Sequence, residues 1–132
     1  MVYCSEVTVP TESLLFISQI LSVSQRNNTR DGLTGALAIS DGWFLQVIEG
    51  EKDHIDHLLR RLVGDTRHKN LEVLDRQPIK ERLFAEWSMC SARITPDVSD
   101  DIQAAVADCR QQPTEAVGAL RLLVASTRDL LV

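Results

Sequence analysis

From Gly32 to Gly50 the chain reads GLTGALAISDGWFLQVIEG, and this stretch decides the fold. Gly32 and Gly35 punctuate a turn into an apolar run, Leu33 to Ser40. Asp41-Gly42 is a hairpin signal, and the chain returns as a second run through Trp43 to Glu49. The two runs are expected as antiparallel neighbours in a sheet. Alternate side chains of a strand share a face, so Phe44, Gln46 and Ile48 point one way and Trp43, Leu45 and Val47 the other. The second run reads as a buried strand that a single carboxamide, Gln46, interrupts.

Outward from this hairpin the elements fall in a simple order. A short strand is expected at Val2 to Ser5. Pro10 and Thr11 open a helix to about Asn27, with Leu14, Ile17, Ile20 and Leu21 at helical spacing. After the hairpin, a second helix from Asp53 to Val63 carries Ile55, Leu58, Leu59 and Leu62 on one stripe, and Gly64 is placed to end it. Strands follow near Leu71 to Arg76 and Trp87 to Ile94. The order β-α-β-β-α-β-β is that of a ferredoxin-like α+β fold, with two helices on one face of the sheet. The other face needs a cover, and two tail helices supply one. Ser99 caps the first, with Ile102, Ala105, Val106 and Cys109 inward. Pro113 starts the second, with Val117, Leu120, Leu123 and Val124. Residues 1–94 are thus expected as the sheet domain and 95–132 as a helical cap within the same structural unit. The apolar end Leu130, Leu131 and Val132 equally suits a contact between copies of the chain, so a homo-oligomer is expected.

The 132 residues and 14.8 kDa allow one core and one pocket. A net charge of -5, with no block of Lys or Arg, makes nucleic acid and anionic membranes poor partners. No apolar run approaches the roughly 20 residues of a membrane span, and MVYCSEVTVP lacks the regions of a signal peptide, so a cytoplasmic protein is expected. Cys4, Cys90 and Cys109 are odd in number and far apart, which suggests neither a disulfide framework nor a zinc site.

Several polar residues sit where apolar ones would be routine. Gln46 either bonds a nearby loop or water, as most glutamines do, or faces a bound heteroaromatic ring that offers both donors and acceptors. Ile17, Ile20, Ser24 and Asn28 follow at steps of three and four, so the inward stripe of the first helix turns polar in its last turn. Asn27 and Asn28 either end that helix or border a site. Tyr3, the chain's one tyrosine, sits in an apolar strand. There its ring is buried and its hydroxyl seeks a partner. Trp87 and Met89 share a face, as core residues or as a ligand wall. Glu49, like Asp41, stands beside a turn glycine. In the loop DTRHKN, Arg67 with Lys69 could meet a phosphate or form an exposed basic turn. His54 and His57 lack the third ligand and supporting shell of a metal site, which leaves a solvated helix face.

Taken together, Tyr3, R-N-N at Arg26 to Asn28, G-x-T-G at Gly32 to Gly35, F-L-Q-V-I-E-G at Phe44 to Gly50 and W-S-M at Trp87 to Met89 occur in one order. Over residues 1 to 94 the chain resembles the BLUF family, blue-light sensors that use flavin. The resemblance implies a flavin, FAD ahead of FMN, held between the two helices. It implies Tyr3 as electron donor, Gln46 between Tyr3 and the ring, Asn28 at the ring's carbonyl and pyrimidine edge, and Ser24, Asn27, Trp87 and Met89 around them. Asp65, Arg67 and His68 match polar loop positions of the family. It further implies that light changes hydrogen bonds and releases no product, so no enzyme is expected. With no effector domain after the tail, the signal is expected to pass to a separate downstream protein or through assembly.

Two other classes use a similar sheet. A cofactor-free regulatory or protein-interaction module would have no need of Tyr3, Asn28, Gln46 and Trp87 together. A small phosphatase would want an Arg and an Asn at a phosphate-binding turn, which Arg26 and Asn28 superficially offer, but no nucleophile with a paired base accompanies them.

Overall fold

The structure, a computed structural model, describes residues 1–8, 14–40, 42–85, 90–91 and 99–131, with backbone alone at 14–18, 20, 21, 40, 90, 91, 99–102 and 123–131. The elements are β1 (Val2–Val7), α1 (Leu14–Asp31), β2 (Thr34–Ser40), β3 (Trp43–Glu49), α2 (Lys52–Val63), β4 (His68–Asp75), β5 (Cys90–Ser91), α3 (Ser99–Asp108) and α4 (Pro113–Leu131). The fold is the ferredoxin-like α+β arrangement, with strand order β4-β1-β3-β2-β5 among the described residues. The hairpin pairs antiparallel from Thr34 opposite Glu49 to Ser40 opposite Trp43. β1 lies between β3 and β4, antiparallel to both, and Tyr3 is opposite Gln46. Side chains directly opposite in a ladder emerge on the same face, so this register puts the phenol and the amide side by side.

The alternation read from the hairpin divides the core into two layers. On one face Leu37, Ile39, Phe44 and Ile48 pack with Leu33 and with Ile55 of α2. On the other, Cys4, Ala36, Ala38, Leu45 and Val47 pack with Phe84, Ala105, Cys109, Ala116 and Leu120, the last four supplied by α3, its C-terminal end and α4. The inward stripes expected for the tail helices hold at Ala105, Val106, Cys109, Val117 and Leu120. Ile102, Leu123 and Val124, like Leu14, Ile17, Ile20 and Leu21, have no described side chains.

Three boundaries differ from expectation, each for a local reason. α1 runs on to Asp31, so Asn27 and Asn28 lie inside its last turn. The helix stops at Gly32, whose φ of 68° is costly for any residue with a Cβ. The Gly32 N–H reaches the Thr29 carbonyl at 3.4 Å and the Leu33 N–H reaches the Asn28 carbonyl at 2.8 Å, the paired closure of a Schellman turn. β1 is two residues longer than expected and β4 starts at His68, because Val7 pairs with His68 and Glu6 with Lys69. The first strand is also held at its start, where the Met1 ammonium donates to the Ile48 carbonyl at 2.8 Å. Of the last expected strand, Cys90–Ser91 is described and runs parallel to β2. Trp87 and Met89 lie outside the described residues.

Candidate functional site

A cleft of about 250 Å³ opens between α1, α2 and the sheet. β1 and β3 supply Tyr3, Phe44 and Gln46 to its floor, and β2 supplies Leu37, which is opposite Gln46. The last turns of α1 contribute Val23, Ser24, Asn27 and Asn28. The end of α2 and the following loop contribute Leu58, Arg61, Leu62, Asp65, Arg67 and His68. Tyr3, Ser24, Asn27, Asn28, Gln46, Asp65, Arg67 and His68, scattered over 66 residues of sequence, thus border a single space. The Schellman closure carries part of this placement, since it fixes the backbone of Asn28 while its side chain, 2% exposed, is turned to the cleft.

At the floor, the Tyr3 hydroxyl donates to Gln46 Oε1. Burial is the main cause that pushes the phenol's pKa far above its ordinary value, with the Asp65 carboxylate adding to the effect and Arg67 opposing it. Tyr3 therefore keeps its proton at every physiological pH and acts as a donor. Gln46 thus uses its oxygen as the acceptor of that proton, and its NH₂ group is the donor end of the same amide.

The rim is polar and partly self-satisfied. Arg67 is folded onto Asp65, with Nη2 to Oδ2 at 2.6 Å, Nε to Oδ1 at 3.0 Å and its backbone N–H to Oδ1 at 2.9 Å. The Arg67 side-chain bond, first among the causes, holds the Asp65 carboxyl below its usual range. Lys69 does not join this rim; it is exposed and lies 3.9 Å from Glu6. His68 Nε2 donates to the Leu62 carbonyl at 2.8 Å. His54 and His57 are exposed.

Arg61 is the residue sequence reasoning passed over. Its Nε and Nη2, together with His68 Nδ1, are buried and lack a hydrogen-bond partner among the described residues. Among the described residues, Nη2 keeps a 3.6 Å ion pair with Asp31. Buried donors without acceptors are costly, and at the wall of a cleft they point to a ligand that supplies acceptors. The signal was its position: Arg61 follows Leu58 by three and precedes Leu62, on the stripe that faces the sheet.

A cleft with two buried amides and unmatched guanidinium nitrogens beside apolar Leu37, Phe44 and Leu58 suits a flat ring with carbonyls, an imide N–H and a bare nitrogen on its edge. The ferredoxin-like α+β domain thus presents a cleft whose lining suits a small ring-shaped ligand. Residues 1–90 match the family described as BLUF, sensors of blue light using FAD, and the chain belongs to that family. It is 35% identical over 91 residues to photoactivated adenylate cyclase subunit beta of Euglena gracilis, a match that covers 68% of this chain and 10% of that protein. The chain therefore spans about a tenth of the length of that curated relative. It superposes on the dark-state structure of BlrB, a BLUF protein, with a TM-score of 0.72 and 30% identity, over 96% of this chain and 93% of that one. Klebsiella pneumoniae BlrP1 with FMN and cyclic diGMP shares the fold at a TM-score of 0.65 and 23% identity, over 78% of this chain and 28% of that one. The chain is thus a flavin-using blue-light sensor domain. No described helix is long and apolar enough to cross a membrane.

Proposed function

We propose that the flavin occupies the cleft between α1 and α2 and that Tyr3 and Gln46 form the light-responsive pair. The observation that carries this reading is the Tyr3 hydroxyl bonded to Gln46 Oε1 at the floor of a cleft whose walls hold Asn28 and Arg61. Asn28 and Gln46 meet the polar edge of the ring, Ser24 and Asn27 line its flank, and Arg61 supplies acceptor-seeking nitrogens. Asp65, Arg67 and His68 border the open side, where Arg67 is held by Asp65 and presents its remaining nitrogen. When bound, the flavin, FAD ahead of FMN, supplies blue-light absorption and a strong oxidant in the excited state.

The residues do the rest. Tyr3 is an oxidisable group on the floor, and its hydroxyl already donates to the Gln46 oxygen. Loss of an electron makes the phenol strongly acidic, so the proton leaves toward Gln46 as the electron leaves. Return of both to Tyr3 leaves the Gln46 amide rotated or tautomerised, with donor and acceptor exchanged. Nothing is consumed, and the domain acts as a switch instead of an enzyme. The stored difference is a hydrogen-bond pattern, read by a separate downstream protein or by the assembly of copies through the 95–132 cap. A cytoplasmic setting suits three thiols with no disulfide framework.

Absorption of the purified protein tests the reading. Wild type is expected to be yellow and to shift reversibly to the red under blue light. Tyr3→Phe and Gln46→Leu should keep the flavin and lose the shift. A normal photocycle in either variant overturns the assigned pair. A colourless, fully folded protein would favour a cofactor-free regulatory module, and turnover of phosphate esters a phosphatase.

A further inference from the structure

β3 carries a second buried polar side chain, Glu49, 5% exposed and three residues beyond Gln46. Three residues along a strand reverse the face, so Glu49 points with Leu45 and Val47 into the layer beneath α3 and α4. Its carboxylate is fully engaged there. Oε1 accepts the Thr34 hydroxyl at 3.1 Å and the Phe84 N–H at 2.9 Å, and Oε2 accepts the Leu83 N–H at 2.7 Å. Thr34 is the residue opposite Glu49 in the hairpin, so one bond lies within the sheet and two reach the 82–84 turn.

That turn is tied on its far side to the last helix. The Leu83 carbonyl accepts from Arg121 Nη1 of α4. Phe84 is 0% exposed and packs in the same layer as Ala116 and Leu120 of α4. Arg82 Nη1 adds a bond at 2.8 Å to the Gly32 carbonyl, where α1 ends. A buried carboxylate is retained in a core only where such bonds compensate its desolvation. Here they all go to the sheet and to one turn.

We propose that Glu49 is the positioning residue that couples the sensing face of β3 to α4, through the 82–84 turn and Arg121. The coupling rests on the reading of Gln46 as the light-responsive group. A shift of β3 at Gln46 moves a carboxylate on its opposite face, and both the Leu83 and Phe84 amides follow it. Leu83 in turn presents its carbonyl to Arg121, so α4 senses the change without touching the cleft.

The test uses the flavin-loaded full chain, with hydrogen–deuterium exchange measured in the dark and under blue light, alongside absorption. Wild type is expected to shift to the red and to change exchange at both the 82–84 turn and residues 113–122. Glu49→Gln is nearly isosteric but offers one acceptor oxygen and sets an NH₂ against one of the two backbone N–H groups. It should keep the reversible red shift and lose the light-dependent exchange difference in 113–122. Arg121→Gln, a change at an exposed helix position, should do the same and decides the matter if Glu49→Gln does not fold. Retention of the α4 difference in the folded variant overturns the coupling, as does a wild type that shifts in colour with no change in α4. A wild type with no colour shift overturns the sensing reading and the coupling with it.

Discussion

Gly35→Ala should be among the most damaging single-methyl changes in the described sheet. Gly35 is opposite Ile48, and a Cβ built on it lies 2.0 Å from the Val47 carbonyl oxygen and 3.0 Å from its carbon. Non-bonded heavy atoms settle at roughly 3.5 Å or more, so relief requires β2 and β3 to part by over about 1 Å. Both contacts are backbone, and no side-chain rotation can relieve them. Parting the strands weakens about two ladder bonds at about 1 kcal/mol each, and the added methyl brings overpacking of about 1–3 kcal/mol. The sum is about 3–5 kcal/mol, a large share of the 5–15 kcal/mol or so typical of a domain. In urea, with a slope near 2 kcal/mol/M, the unfolding midpoint should fall by roughly 2 M. Gly118→Ala is the matched control. Gly118 lies within α4, a Cβ there meets nothing within 4 Å, and helix propensity predicts a gain of about 1 kcal/mol. A Gly35→Ala midpoint within roughly 0.5 M of wild type would refute the close approach of β2 and β3. Because Leu37 and Gln46 are opposite each other two residues away, the variant should also lose flavin.

Arg61→Gln removes charged donors from the cleft; at about 1.5–3 kcal/mol for such a bond, flavin should bind about 10- to 100-fold more weakly, and a titration that finds unchanged affinity discards the role of Arg61. Alkali should destabilise the fold, since burial raises Cys109 from 9.0 to about 11. The folded state then holds a proton that the unfolded state releases, so this contribution is complete below pH 9.0 and is lost as pH rises through about 11. Cys109→Ser should flatten that part of a urea-midpoint profile. In acid the sign reverses. The Asp65–Arg67 fork stabilises above the ordinary Asp value of 3.8 and is lost as pH falls through the depressed one, so Asp65→Asn should remove that slope from acid unfolding.

Much of the architecture was legible because it is written in short-range pattern. The hairpin, the alternation that sets Gln46 opposite in face to Leu45 and Val47, and the apolar stripes of α2, α3 and α4 need only neighbours in sequence. Alternation could give the face of Gln46 but not its partner. That Tyr3 and not Val2 or Cys4 stands opposite depends on a pairing over 43 residues. The end of α1 was misjudged because asparagine commonly closes a helix, whereas here Gly32 closes it and the two asparagines gain a place at the cleft. Arg67 read as free to meet a phosphate because Asp65 signals an Asx-turn but not that the Arg67 side chain folds back onto the same carboxylate. Arg61 was hidden by Arg60 beside it, since a pair of arginines late in a helix also suits the helix dipole. Glu49 read as a turn residue, and only the return of the 82–84 turn, more than 30 residues on, makes it a buried anchor.

The alignment of β1 with β3 has a practical use. A slip of one residue would send Tyr3 to the opposite layer and leave a residue without a phenol next to Gln46. Colour in the proposed sensor needs only a filled cleft, whereas its photoresponse needs this single alignment of two strands. Variants that stay yellow yet ignore light therefore form a class that can be screened on a plate. The ratio of light response to colour becomes an optical gauge of strand registration, readable without unfolding the protein.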